Sequence, residues 1–325
     1  MPLWHKAMDN LTHSLVGAVL GQAGLKRTTG LAMPALIIGA NLPDVDAACF
    51  FWLEGTEHLG FRRGITHGPP ALVLLPLVLA GLLWGFDRWQ TKRGTRPEAR
   101  LPVRFGWLYA MAFIGCLSHP FFDWLNVNGI RLLEPFSSQW FYGDTLFIID
   151  PWLWALLIAS LWVSRRREKA GAEWARAGQI GVAAALAYVG LNGAITWFHY
   201  QTRGVASEPY PQAHIAAPVP LFFWQREQVA QLYDGRWISS GWDGAPFGHG
   251  YVQSRATQCR LPDLTATRRA NSQADAFLFW SRAPMLTRAP DGSVVLRDAR
   301  FNDPNVRDRF ALALPGVTCE ELPRP

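Results

Sequence analysis

NLPDVDAACFFWLEGTEHLGFRRGITH, residues Asn41 to His67, decides how the rest of the chain is read. It sets Asp44, Asp46, Arg63 and His67 beside apolar runs long enough to enter a bilayer. Carboxylates and a histidine at such a border cost free energy unless they face water, one another or a metal. A second stretch, SHPFFDWLN, spaces His119 and Asp123 four residues apart, so both fall on one helical face. The expectation is that these groups meet in a metal site at one face of a membrane bundle.

Working outward, hydropathy splits the 325 residues into two unlike parts. The mean hydropathy of +0.04 hides this division. Residues 1–200 carry long uncharged runs, whereas 201–325 hold 14 Arg and no Lys against 12 acidic residues. A helix needs about 20 apolar residues to cross the hydrocarbon core. Gly68–Phe86, about 105–125, about 145–164 and Ala177–Phe198 are read as spans, with Pro76 kinking the first. The segments around His13 and from Thr28 to Pro43 are shorter and read as partly embedded, and 54–66 as a polar connection.

The predicted fold is therefore mainly α: a helical transmembrane bundle over 1–200, followed by a small β-rich extracytoplasmic domain over 201–325. In the second part QVAQLYDGRWISSGW, AFLFW and SVVLRDARF are rich in β-formers and broken by Gly, Pro and Asp. The Pro-rich stretch from Pro209 to Pro220 reads as its linker.

Much of the net charge of +6 sits in short loops, which points to membrane topology and not to a nucleic-acid partner. Lys26–Arg27, the six basic residues of 87–104 and the five of 164–176 are assigned to the cytoplasm by the positive-inside bias. Alternate crossings then carry His13, Asp44, Asp46, His67, His119, Asp123, Asp144 and Asp150 to the opposite face, and 201–325 outside. Cys49 and Cys116 lie in apolar segments and read as small buried thiols. Cys259 and Cys319 can pair if their part of the chain lies outside the cytoplasm.

Histidine and aspartate suit zinc, and carboxylates also suit manganese or magnesium. Neither His-x-x-x-Asp nor Asp-x-Asp is specific alone. Together, with His13 and His67 on the same predicted face, they argue for a divalent metal held by His13, Asp44, Asp46, His67, His119 and Asp123. In a catalytic site one position stays open to water, and an aspartate not bound to the metal, Asp44 or Asp46, serves as general base. Arg63 either grips a substrate anion or pairs with Asp44, Asp46 or a lipid head group. Asp144 and Asp150 are open to an orienting role, with helix capping the rival for Asp150 before Pro151. His58, His199, His214 and His249 show no partnered pattern. A nucleophile elbow, a phosphate-binding Gly-rich loop, zinc-finger cysteine spacing and a His-Glu-x-x-His helix are all missing from the sequence.

DNLTHSLVG, NLPDVD, RRGITH and SHPFFDWLN, in that order between apolar spans, resemble the YdjM-type family of membrane-bound, metal-dependent hydrolases. The resemblance covers roughly residues 8–200, and PVPLFFW after the last span is similar to members with a soluble C-terminal extension. It implies a multi-pass protein of the bacterial inner membrane whose motif residues are His13, Asp44, Asp46, His67, His119 and Asp123. More distantly the pattern is similar to zinc-dependent phospholipase C and the related single-strand nucleases, which implies phosphoester hydrolysis by analogy. The substrate expected near the head-group layer is a lipid or an envelope precursor. The chain departs from the family pattern at Arg62, where a histidine usually precedes Arg-Gly. A rival reading keeps the cluster as a structural metal site or ion-pair network in a scaffold whose soluble domain binds a partner. A metal or proton pathway would instead string such residues through the membrane depth.

Overall fold

The computed structural model describes residues 10–202, 213–219, 221–240, 258–301 and 307–322. The chain divides into two compact units, one of residues 1–47 and 63–193, the other of 48–62 and 194–325. A sequence cut at residue 200 therefore needs one amendment: 48–62 groups with the C-terminal part. The reason is local, because helix α3 (Glu57–Phe61) lies against helix α9 (Ser272–Trp280). Thr56 Oγ1 donates to Gln273 O at 2.8 Å, and a Cβ on Gly60 would meet Ala276 Cβ at 3.0 Å.

The first unit is helical. It contains α1 (Asn10–Gln22), α2 (Ala32–Gly39), α4 (Pro69–Lys92), α5 (Phe105–Trp124), α6 (Pro151–Lys169) and most of α7 (Ala175–Thr202). Two apolar clusters hold it together. One joins Ala35 and Leu36 of α2 to Leu79 of α4 and to Leu108 and Met111 of α5. The other joins Leu15 and Val19 of α1 to Leu153 and Leu157 of α6 and Ala185 of α7. Small residues let the backbones approach, as interhelical packing in a bilayer requires. A Cβ on Gly39 would lie 2.6 Å from Ala112 O, and one on Gly17 would lie 2.7 Å from Leu36 O.

Among the described residues α4, α5 and α7 are long and apolar enough to cross a membrane. A fourth crossing is possible if α2 and the following 3-10 helix (Leu42–Phe51), bent by 48°, count as one broken span. Asn41 makes the break by turning its amide back to Ile37 O at 2.8 Å, and Pro43 then has no amide to continue the α-helical ladder. The span expected over 145–164 is corrected at its start: residues 145–150 are irregular and α6 begins only at Pro151. Helix α6 still runs alongside α1, from Trp154, whose Nε1 donates to Thr12 Oγ1 at 2.8 Å, to Ser164, whose Oγ donates to Gln22 Oε1 at 3.0 Å. The polar connection expected over 54–66 holds α3 and the start of a 3-10 turn, Ile65–His67.

The basic segments gather at one end of this unit. Lys26 pairs with Glu168 and lies 4.1 Å from the Trp174 ring centre. Arg104 N donates to Thr29 Oγ1 at 2.8 Å. His13 near the start of α1, His67 just before α4 and His119 near the end of α5 all stand toward the other ends of those helices.

The second unit carries two antiparallel sheets. One has the order β1 (Ala213–Pro218), β2 (Arg226–Gln231), β3 (Trp237–Ser240). The other has the order β4 (Gln258–Cys259), β5 (Pro284–Arg288), β6 (Val294–Asp298), β7 (Ala311–Ala313). Ile215, Val229 and Trp237 of the first sheet share a core with Met285 of the second. Two expectations are corrected here. Within the Pro-rich stretch Ala213–Pro218 is an edge strand, paired through all six residues with β2, while 209–212 and Pro220 lie outside the described residues. AFLFW is helical: Asn271 caps α9 by accepting from Gln273 N and Ala274 N, and Ala274, Phe277 and Trp280 then fall on one buried face.

Cys259 and Cys319 form a disulfide with their Cα atoms 5.1 Å apart. Burial pushes the Asp298 carboxyl up, yet the Arg300 guanidinium and the hydrogen bonds from Arg300 and Ser281 override this and hold it below the usual range.

Candidate metal centre

The site is assembled from four places in the first unit. His13 comes from α1, Asp44 and Asp46 from the 3-10 helix after α2, Arg63 and His67 from the turn before α4, and His119 and Asp123 from α5. His13, His67, His119 and Asp123 are buried. Asp44, with 14 % of its side chain exposed, is the acid open to water.

Donor atoms converge on Asp123. Its Oδ2 lies 3.5 Å from His67 Nε2 and 3.6 Å from His119 Nε2, and its Oδ1 lies 3.6 Å from His13 Nε2. His119 Nε2 lies 3.8 Å from Asp44 Oδ1. These separations are too long for hydrogen bonds, and His67 Nε2 and His119 Nε2 are buried with no hydrogen-bond partner. Ligands about 2.1 Å from a tetrahedral ion stand roughly 3.4 Å from one another, so the spacing suits donors sharing one cation. Two overlapping groups, His13–His119–Asp123 and Asp44–His67–His119, can hold a metal.

The other ring nitrogens orient the donors. His119 Nδ1–H donates to Ala40 O at 2.7 Å, which leaves Nε2 as the lone-pair atom. Thr66 Oγ1 donates to Asp46 Oδ2 at 3.2 Å and, 2.9 Å from His67 Nδ1, accepts that ring's proton. His67 Nε2 is then the free donor as well. Ala40 and Thr66 were not among the residues singled out in the sequence. A backbone carbonyl leaves no mark there, and the threonine beside His67 was the one available signal.

Asp46 stands outside both groups. Its Oδ2 accepts from Arg63 N at 2.8 Å and from Thr66 Oγ1, so it ties the 3-10 helix to the turn that carries His67. Arg63 takes φ 57°, a left-handed backbone disfavoured for residues other than glycine, with its amide tied to Asp46. Its guanidinium reaches Asp123 through Nε at 3.1 Å and Nη2 at 3.2 Å, and Asn126 Oδ1 through Nη1 at 3.0 Å. Of the two roles open to Arg63, the pairing is with a carboxylate, and that carboxylate is Asp123.

Asp150 caps α6, accepting from Leu153 N at 2.9 Å and from Tyr188 Oη at 3.0 Å. Asp144 is buried, with φ 47°. In the second unit His199 and His214 are bridged by Gln228, His58 bonds Gly55 O, and Arg62 lies over the Phe50 ring. His249 lies outside the described residues.

Residues 8–199 match the family described as YdjM inner membrane protein. The chain belongs to that family. The YdjM match covers all six His and Asp residues of the centre and stops short of the sheets. Across 162 residues the chain is 25 % identical to the "Uncharacterized protein YfhP" of Bacillus subtilis (strain 168), a stretch that is 47 % of this chain and 45 % of that protein. The chain thus spans about half the length of this relative. No solved structure matches the chain.

Proposed function

We propose that this YdjM-family protein is a metal-dependent hydrolase of the bacterial inner membrane, acting on a phosphoester of a lipid or envelope precursor at the extracytoplasmic face. The observation that carries the reading is the buried convergence of His67 Nε2, His119 Nε2 and Asp123 Oδ2 at 3.5–3.6 Å. The two imidazole nitrogens, buried without a hydrogen-bond partner, cost free energy unless a cation satisfies them. His13 completes the set around a single ion, zinc by its nitrogen-rich donors, with manganese or magnesium as the oxygen-favouring alternatives, and Asp44 stands next to it. A divalent ion held there supplies Lewis acidity, toward a phosphoryl oxygen and toward water.

The chain's own residues do the rest. Ala40 O and Thr66 fix the two imidazoles so that Nε2 faces the centre. Arg63 pairs with Asp123 and supplies positive charge beside the phosphate. Asp46 holds Arg63 and His67 in register. Asp44, the partly exposed acid, takes a proton from the attacking water. Hydrolysis consumes one water: its oxygen forms the new bond to phosphorus as the ester P–O bond breaks. One proton passes to the departing alkoxide and the other to solvent through Asp44. The extracytoplasmic assignment of the site is supported by the basic segments at the opposite end of its helices, and that of the C-terminal part by the Cys259–Cys319 disulfide, which suits an oxidising compartment.

The test is hydrolysis of bis(p-nitrophenyl) phosphate by detergent-purified protein. Chelation and His119→Ala should each lower the rate at least about 100-fold, with zinc restoring the chelated protein alone. Bound metal without any ester cleavage would favour the rival reading, a structural metal in a membrane scaffold.

A further inference from the structure

Large apolar side chains stand exposed directly beside the ligand-bearing turns. Val45, between Asp44 and Asp46, is 47 % exposed, and Ile65, between Arg63 and His67, is 57 % exposed. Leu133 and Phe136, at 43 % and 78 %, belong to the loop after α5. Hydrogen bonds make these three segments one rim. Arg63 N donates to Asp46 Oδ2 at 2.8 Å, and Arg131 N donates to Arg63 O at 2.9 Å. Gly68 is packed so closely on Glu134 that any Cβ there would overlap the Glu134 carbonyl.

The same segments carry the charged groups Asp46, Arg63 and Arg131, with Arg131 itself buried and 5.1 Å from the Trp140 ring centre, and the Arg63 guanidinium reaches Asp123 at 3.1 Å. The height of the rim relative to the bilayer follows from the spans. Ile65 comes four residues before α4 starts at Pro69, and Asp123 is the penultimate residue of α5. Both are helices that can cross a membrane, so the rim stands where they leave the hydrocarbon core. Exposed apolar side chains beside buried charged groups are costly in water and match an amphiphile, whose chains are apolar and whose head is anionic.

We propose that Val45, Ile65, Leu133 and Phe136 form a collar immersed at the acyl–head-group boundary, through which a glycerophospholipid-type phosphoester enters the metal centre sideways from the leaflet. The choice of substrate rests on the hydrolase reading above; the immersion of the collar does not. The phosphate meets the metal-ligand cluster and Arg63, and the acyl chains lie along the collar and remain in the bilayer. A water-soluble phosphoester would have no use for such a rim.

Two measurements on the full chain test this. Nitroxide labels at Ile65→Cys and Phe136→Cys, in vesicles of phosphatidylethanolamine and phosphatidylglycerol, should collide with oxygen and be shielded from a water-soluble nickel chelate. Ready access of the chelate to either label would overturn the collar. In the same vesicles the ratio of phosphatidylglycerol hydrolysis to bis(p-nitrophenyl) phosphate hydrolysis should fall about tenfold in Ile65→Ser/Phe136→Ser protein that retains its metal. An unchanged ratio would overturn the lateral route. Cleavage of neither ester by the unaltered protein would instead remove the hydrolase reading, and the labels would still decide the collar.

Discussion

Asp123→Ala protein should lose about 3–5 kcal/mol of stability and all of its bound metal. Asp123 is fully buried and takes two contacts from the Arg63 guanidinium, at 3.1 and 3.2 Å. Its oxygens are also the point on which the nitrogens of His13, His67 and His119 converge. Removing the carboxylate leaves a nearly buried cation facing three imidazoles without its ion-pair partner. The penalty comes from the stranded charge more than from a lost attraction, and this gives the prediction a second arm. Asp123→Leu combined with Arg63→Met removes both charges and should recover most of the thermal midpoint lost by the single variant, while metal stays absent. A pair whose effects simply add would mean that Arg63 and Asp123 are not coupled.

Gly115→Leu is expected to have an effect of similar size, although it touches no donor. A Cβ at Gly115 would overlap Leu36 O and stand 3.0 Å from Ala40 N, both backbone atoms of α2 and its end. Side chains could rotate away; these atoms can yield only if α2 and α5 separate. The cost is about 3 kcal/mol or more. Gly115 lies one turn before His119, whose Nδ1 is fixed by Ala40 O. Separation therefore breaks that hydrogen bond and turns the imidazole. The thermal midpoint and metal retention should fall together. Gly81→Leu on α4, where a Cβ meets nothing within 4 Å, should leave both unchanged.

The sequence revealed the clustered side chains better than it revealed what holds them. His119 and Asp123 were legible because a spacing of four residues places two side chains on one face of any helix. His13, Asp44 and His67 were legible because polar groups at the ends of apolar runs need a reason to be there. Asp46 shares that signal, yet its carboxylate is engaged with the Arg63 amide and the Thr66 hydroxyl. Which of two neighbouring aspartates turns inward depends on the 3-10 geometry of Leu42–Phe51, and sequence periodicity does not encode that. The left-handed Arg63 and the Ala40 carbonyl were invisible for the same reason.

The fold shows a similar division. Long apolar runs announced α4, α5 and α7, but 145–150 has the composition of a helix and none of its structure. There Asp150 starts α6 by capping it, and its own extended backbone stops that helix from running back through it. AFLFW was misread because aromatic content alone does not separate strand from helix. The N-cap at Asn271 and the three-residue spacing of Ala274, Phe277 and Trp280 were the better guides.

Metal content of the detergent-purified full chain, measured by mass spectrometry beside X-ray absorption at the metal edge, bears most directly on the central claim. One equivalent of a divalent ion is predicted, with nitrogen and oxygen ligands at about 2.0–2.2 Å and an imidazole scattering signature. That signature should vanish, with the metal, in His119→Ala protein. An unaltered protein without stoichiometric metal, or one whose metal and scattering are the same after His119→Ala, would contradict it.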